Sequence, residues 1–135
     1  MWNKIFKPVD LMQKGLSAAW TRNAVIRNNI ANVETPGFKA SEVEFESIFA
    51  RTIREQGFVG TRTHPGHREI GAMNLDSITP RIHQQQGLSM RMDGNNVDIE
   101  SENVRMAQNN LQYNTIMEKL NSEIRRLRLA ISEGR

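Results

Sequence analysis

Residues 97–131 read VDIESENVRMAQNNLQYNTIMEKLNSEIRRLRLAI, and this stretch decides the fold because its apolar side chains recur at helical spacing. Counted back from the end, steps of four and three residues join Ile131, Leu127, Ile124, Leu120, Met117, Tyr113, Asn110, Met106 and Asn103. This spacing is typical of a seam along one side of a helix. Asp98 or Ser101 can cap its start, and the acidic first turn and arginine-rich last turns agree with the helix dipole.

The predicted helix is longer than a small domain usually needs. At ~1.5 Å per residue it would extend about 50 Å. The chain has 135 residues, of which 38% are hydrophobic and 6% aromatic, so the core can only be thin. The sequence therefore predicts one elongated, helical unit that depends on partners. Cysteine is absent, which excludes disulfides and cysteine-ligated metals.

The N-terminal stretch carries a matching pattern. From Val9, steps of three and four residues join Met12, Leu16, Ala19, Asn23, Ile26, Ile30 and Val33. This helix must end by residues 35–37, Thr-Pro-Gly, since proline disfavours the helical conformation in the residue before it and Pro-Gly suits a type II turn. We therefore expect a mainly α fold, in which residues 1–35 and 97–135 pair as a coiled-coil-like hairpin.

Three asparagines interrupt the predicted seams. Asn23 lies in the first, and Asn103 and Asn110 lie in the second. A polar residue in a seam costs stability but can fix the register and the choice of neighbour. The alternative is that these side chains face solvent at a helix edge.

The middle segment, residues 36–96, shows weaker patterns. Residues 41–44, Ser-Glu-Val-Glu, read as a capping box that opens a short helix over 41–56, whose apolar face holds Phe45, Ile48, Phe49, Thr52 and Ile53. The alternation of Val43 and Phe45 with glutamates would also suit a strand. Residues 57–92 contain recurring glycines and two prolines, which predicts a loop with a short strand pair ending in residues 88–92.

No catalytic, cofactor or metal site is predicted. His64 and His67 are close, but only Glu69 and His83 could complete a metal site and nothing positions them. Residues 93–98, DGNNVD, fail the calcium-loop pattern at three positions and suit a turn into the helix cap. No catalytic motif is present, so an enzyme is not expected. The lysines near the N-terminus precede no long apolar stretch, which predicts neither a cleaved signal peptide nor a membrane span.

Residues 28–40, NNIANVETPGFKA, resemble the signature of the axial proteins of the bacterial flagellum, the rod, hook and hook-associated subunits. The matching residues are Asn29, Ile30, Ala31, Asn32, Thr35, Pro36, Gly37 and Phe38. A second match, Asp93, Gly94, Asn95, Asn96, Val97 and Asp98 with the following helix, is similar to the B-type subunit of the proximal rod. Distal rod and hook proteins carry large domains between their terminal helices, and this chain has no room for one.

The resemblance implies a structural rod subunit in the periplasmic part of the basal body. Its terminal helices would line a central channel and contact other copies, other rod subunits and the ring or export-gate components. The implied interface residues are Leu16, Asn23, Ile26, Ile30, Asn103, Asn110, Tyr113, Met117, Leu120, Ile124 and Leu127. Such subunits leave the cytoplasm through the type III export apparatus without a cleaved signal, and Phe45 with Phe49 fits its Phe-x-x-x-hydrophobic gate-recognition element.

Two other functions compete with this one. A soluble helical adaptor or secretion chaperone could use the same seam to hold one partner. A basic helical nucleic-acid binder could use Arg125, Arg126 and Arg128, but the net charge is only +3 and the basic residues are scattered among acidic ones. Neither nucleic-acid binding nor membrane insertion is therefore expected.

Overall fold

The computed structural model describes residues 2–55, 64, 78–87, 89 and 91–132. In chain order these form helix α1 (Trp2–Ala31), strand β1 (Ser41–Glu44), helix α2 (Glu46–Glu55), strand β2 (Arg81–Gln84) and helix α3 (Ile99–Ser132). The predicted mainly α fold, with long terminal helices and short elements between them, is confirmed. None of the described helices is long and apolar enough to cross a membrane.

Helices α1 and α3 pack against each other as an antiparallel hairpin. Asn29 near the end of α1 contacts Glu102 near the start of α3, while Gly15 lies against Ile116 farther along. A Cβ atom on Gly15 would lie 3.4 Å from the Ile116 Cδ1 atom, so the two helices approach closely there. The predicted pairing of the terminal helices is therefore present within one chain.

The face that α3 buries differs from the predicted seam in both halves of the helix. Tyr113, Met117, Leu120 and Leu127 are half-buried, but Asn103 and Asn110 are exposed, as are Ile124 and Ile131. Glu102 and Asn109, one residue earlier, are buried instead. The strict seven-residue repeat drifts by ~20° per heptad relative to a straight helix, which accounts for the shift of burial from Asn103 and Asn110 to the residues before them. Within the hairpin, the asparagines Asn103 and Asn110 thus face solvent at the helix edge.

Strand β1 occupies the residues that were expected to open the short helix. Val43 and Phe45 are buried and their neighbours Glu42 and Glu44 are exposed, so the strand-like alternation prevails over the capping box. The helix itself begins at Glu46, where the Phe45 carbonyl accepts a hydrogen bond from the Phe49 N–H at 2.8 Å. The expected helix over 41–56 is therefore wrong in its first turn.

The partner of β1 is β2, with Ser41 opposite Gln84 and Glu44 opposite Arg81. The expected short strand pair of the middle segment is therefore present, but its second strand is Arg81–Gln84 and residues 91–94 form a turn, while residues 88 and 90 lie outside the described residues. Ala18 of α1, Phe45 and Ile78 form a small buried cluster, against which Phe49 packs. This cluster joins the middle segment to the hairpin.

Candidate functional site

Two tight turns meet beside the end of α1. In the first, the Phe38 N–H donates to the Thr35 carbonyl at 3.2 Å and Gly37 has φ +73°, as the second central residue of a type II turn requires. In the second, the Gly94 N–H donates to the Arg91 carbonyl at 3.1 Å, and Gly94 has φ +75°. The Gly37 N–H donates to the Asp93 carbonyl at 2.8 Å, so the turns of the two signature segments are bonded to each other.

Asn95 fastens these turns to α1. Its side chain is fully buried, and its Nδ2 atom donates to the carbonyls of Asn32, Val33 and Thr35 at 2.9, 3.0 and 2.9 Å. Its Oδ1 atom accepts the Val97 N–H at 2.7 Å. These carbonyls lie where the helix ends, and each accepts one other hydrogen bond, from the Thr35 N–H, Arg91 or the Phe38 N–H. Asn95 therefore supplies a second donor to each of them.

Asn29 makes the corresponding connection from α1 to β1. Its Oδ1 atom accepts the Ser41 N–H at 3.0 Å and its Nδ2 atom donates to the Ser41 carbonyl at 2.8 Å. The same nitrogen lies 3.2 Å from Oε2 of Glu102, which is 3% exposed. One fully buried amide therefore ties α1, β1 and α3 together.

Asn96 and Lys39 complete the connection. The Asn96 Oδ1 atom accepts the Ala40 N–H at 2.7 Å, and the Lys39 Nζ atom donates to the Gly94 carbonyl at 2.9 Å. We use the term asparagine junction for the bonded set Asn29, Asn32, Thr35, Gly37, Asn95 and Asn96. The junction unites residues of both signature segments that are about sixty positions apart in the chain.

The two aspartates of residues 93–98 bind backbone N–H groups. Asp98 accepts from Glu100 at 3.0 Å and Ser101 at 3.4 Å, so it caps α3. The hydrogen bond from the Asn95 backbone N–H holds the pKa of the Asp93 carboxyl below its ordinary value, and the Arg91 guanidinium lowers this pKa further. A lowered pKa favours the folded state above the ordinary pKa, and this contribution disappears as the pH falls through the lowered value.

Gly94 offers a direct test of the turn geometry. We expect Gly94→Ala to lower the free energy of unfolding by about 1–2 kcal/mol, because L side chains disfavour a positive φ. Direct steric overlap adds little, since the nearest atom to an added Cβ is the Gly37 Cα at 3.7 Å. Gly87→Ala is the control, because Gly87 has open space and no positive φ. Equal urea-unfolding free energies for both variants would contradict this account.

The hairpin holds further polar contacts. Asn23 Nδ2 donates to Asn110 Oδ1 at 3.3 Å on an exposed edge, so two of the predicted seam asparagines do meet across the helices. Leu16 and Ile30 are half-buried and Ile26 is buried. The predicted seam, which is counted at 3.5 residues per turn, misses the buried polar residues Glu102 and Asn109. A seam counted from Ile131 at 3.6 residues per turn includes both.

The described residues hold no group of three or more histidine, cysteine or acidic side chains that could bind a metal. His83 lies in β2 opposite Glu42. His67, Glu69 and the Ile53 side chain lie outside the described residues. Phe45 and Phe49 stack with ring centroids 5.5 Å apart beside the buried cluster, so in the folded chain they serve the core.

Comparison with known proteins identifies the family. The model of the flagella basal body rod protein family matches residues 12–39. The flagellar basal body rod protein FlgB of Aeromonas hydrophila is 33% identical over 120 residues, which cover 87% of each chain. The chain belongs to the FlgB family. The FlgB protein of Borrelia hermsii is 36% identical over 112 residues, covering 78% of this chain and 81% of that one. That of Bacillus subtilis is 29% identical over 127 residues, covering 94% and 95%.

The similarity to FlgB proteins spans both segments that form the asparagine junction. The matched family segment runs from the middle of α1 through the Thr35–Phe38 turn. The similarity to FlgB proteins extends over nearly the whole chain, whereas the family segment ends well before Asn95. Membership of this family does not favour the two alternative functions, a helical adaptor or secretion chaperone and a nucleic-acid binder.

Proposed function

We propose that this FlgB-family chain is a structural subunit of the proximal rod, which assembles through its terminal helices into a tubular shaft around an export channel. The observation that carries the proposal is the apolar surface that the hairpin leaves uncovered. Trp20 of α1 is 72% exposed and Leu111 of α3 is 69% exposed. Exposed aromatic and aliphatic side chains on long helices are typical of surfaces that pack against partner chains.

An open apolar cleft adds to this surface. It has a volume of about 690 Å³ and is lined from α1 by Leu11, Met12 and Gly15, from α2 by Phe49, and from α3 by Leu111 and Ile116. A cleft of this kind between helices suits an apolar side chain or helix face of a neighbour. Other copies, other rod subunits and the ring or export-gate components are the proposed neighbours.

A density map of basal bodies isolated from the source cells tests the proposal. We expect this chain at fixed positions in the part of the rod nearest the export gate, with α1 and α3 parallel to the channel. A helical adaptor or chaperone would instead be found in the cytosol. Absence of the chain from purified rods, with abundant protein in the cytosol, would overturn the proposal.

The hydrogen-bonded asparagines of the hairpin edge test whether this edge specifies neighbours. For Asn23→Leu and Asn110→Leu we expect unchanged helicity and a free energy of unfolding altered by less than about 1 kcal/mol, since only an exposed hydrogen bond is lost. Rod assembly and swimming motility should nevertheless be impaired. Asn114→Leu, at another exposed position of α3, is the control. Wild-type motility in both variants would exclude a role in register.

Recognition by the export gate can be tested on the two stacked phenylalanines. We propose that Phe45 and Phe49 are read before folding, when the rings are accessible, and that the exported subunit works in the periplasm without a cleaved signal. Phe45→Ala or Phe49→Ala should then reduce secretion several-fold. Ile48→Ala controls for lost packing, because Ile48 is buried and adjacent to Phe49 in α2 but lies outside the Phe-x-x-x-hydrophobic pattern. Equal secretion of all three variants would remove this interpretation.

A further inference from the structure

The two ends of the helix hairpin carry opposite charge. We use the term basic end for residues 2–14 of α1 and 117–132 of α3, which lie together at one end of the antiparallel pair and contain seven basic and three acidic residues. The acidic end comprises residues 28–41 and 91–104 around the asparagine junction, with two basic and five acidic residues. Because α1 and α3 are antiparallel, their dipoles largely cancel, so the side chains set the charge of each end.

The basic end exposes charged and apolar side chains together. Arg125 and Arg128 are exposed and form no ion pair in the described part of the chain. Leu129 and Ile131 lie close to them on α3 and are 55% and 68% exposed, and Phe6 of α1 is exposed at the same end. Arginines beside exposed apolar side chains are typical of a surface that another molecule covers.

The acidic end has the complementary composition. Glu34 and Glu100 are exposed, and neither forms an ion pair among the residues that the structure describes. The basic residues of this end are engaged within the chain, since Arg91 pairs with Asp93 at 2.7 Å and Lys39 donates to a backbone carbonyl at 2.9 Å. The exposed apolar side chains of this end are Met92, Ile99 and Val104. Both ends therefore combine exposed apolar side chains with unpaired charges, and the charges have opposite sign.

We propose that the basic end of one copy of this chain binds the acidic end of a second copy, in a head-to-tail contact. Arg125 and Arg128 of one copy would pair with Glu34 and Glu100 of the other, while the exposed apolar side chains of the two ends cover each other. One chain cannot form this contact with itself, because its ends are separated by helices of 30 and 34 residues, about 45–50 Å long.

A head-to-tail contact joins two different surfaces, so each copy keeps a free end for a further neighbour. Repetition of the contact would extend an assembly along the axis of the hairpin. The inference rests on the proposed rod function for its setting, and it deepens that proposal by naming the partner and the two surfaces that meet.

Sedimentation velocity of the purified full chain tests the contact. We expect association that grows with protein concentration in about 20 mM sodium chloride and is at least about tenfold weaker in about 300 mM, because salt screens exposed charges. A chain that stays monomeric in low salt would overturn the proposal, and so would association of equal strength at both salt concentrations.

Paired charge reversals identify the two surfaces. Arg125→Glu with Arg128→Glu changes the basic end, and Glu34→Lys with Glu100→Lys changes the acidic end. Each double variant alone should associate at least about tenfold more weakly than the unchanged chain, because like charges then meet. An equal mixture of the two double variants should regain association, since every contact between different copies pairs opposite charges again. No recovery in the mixture would overturn the proposal.

The control variant changes net charge by the same amount at another place. Arg51→Glu with Arg54→Glu alters two exposed arginines of α2, which belongs to neither end, and should associate like the unchanged chain. An equal loss of association in this control would overturn the proposal. Should a charge reversal reduce helicity, the glutamine variants of the same four end residues replace it. They should also associate more weakly, and unchanged association would overturn the proposal.

The remaining outcomes separate this contact from other partners and from the rod function. Binding to vesicles of phosphatidylglycerol and phosphatidylcholine without self-association would assign the basic end to a lipid surface and overturn the proposal. A chain that is present in purified rods but does not self-associate would keep the rod function and overturn this inference alone. Absence from rods, together with recovery of association in the mixed variants, would overturn the rod function and support the head-to-tail contact.

Discussion

Replacing Asn95 by alanine is expected to lower the free energy of unfolding by about 3 kcal/mol, because several hydrogen bonds of one buried side chain are lost. The change removes the donor to three carbonyls and the acceptor of the Val97 N–H. Each carbonyl keeps one other donor: the Thr35 N–H for Asn32 at 3.0 Å, Arg91 Nη1 for Val33 at 3.1 Å and the Phe38 N–H for Thr35 at 3.2 Å. Because Asn95 is fully buried, water does not readily replace these bonds in the intact fold.

Urea unfolding followed by circular dichroism measures this effect. Asn114→Ala, on the exposed face of α3, is the matched control and should change the free energy by less than about 0.5 kcal/mol. Asn95→Asp is a second variant that keeps the acceptor for Val97 but turns the donor into a buried acceptor facing three carbonyls. It should be at least as destabilising as alanine. A stable Asn95→Asp variant would show that the donor bonds do not hold the turns.

Replacing Asn29 by leucine is expected to cost about 3 kcal/mol through a different connection. The Ser41 N–H and carbonyl both lose the side chain that binds them at the start of β1. Glu102 also loses one of its partners while it remains 3% exposed, with Arg105 still bonded to it. The loss of a hydrogen-bond donor costs more free energy at a buried carboxylate than at an exposed one.

The adjacent residue supplies the control for Asn29. Asn28→Leu lies on the exposed side of α1 and should leave stability nearly unchanged. A double-mutant cycle of Asn29→Leu with Glu102→Leu should show coupling of about 1 kcal/mol or more, since the two side chains are in contact. Additive effects would indicate that the contact contributes nothing and that only the Ser41 bonds matter.

The long elements of this fold follow from the sequence because their patterns are long and local. Steps of three and four residues extend through most of α1 and α3, and Pro36-Gly37 marks the end of the first helix. The cap at Asp98 also depends only on residues next to it in the chain, and Asp98 caps α3 as the sequence predicts. Such features need no knowledge of distant residues.

The asparagine junction could not be worked out in the same way, because it joins side chains to backbone groups far along the chain. The resemblance pointed to Asn29 and Asn95, but their hydrogen-bonding roles depend on where Ser41 and Thr35 lie in space. The start of the middle segment illustrates the same limit. Ser41–Glu44 fits a helix cap locally, yet Asn29 and β2 bind its backbone as a strand.

The asparagine junction also makes the placement of the terminal helices independent of the length of the segment between them. Thr35 and Asn95 are joined directly although they are 60 positions apart, so the intervening segment forms a loop with fixed ends. Doubling the length of a closed loop adds only about 0.6 kcal/mol of closure entropy. A subunit of this architecture can therefore acquire a long insertion between Glu55 and Ile78 without repositioning its terminal helices.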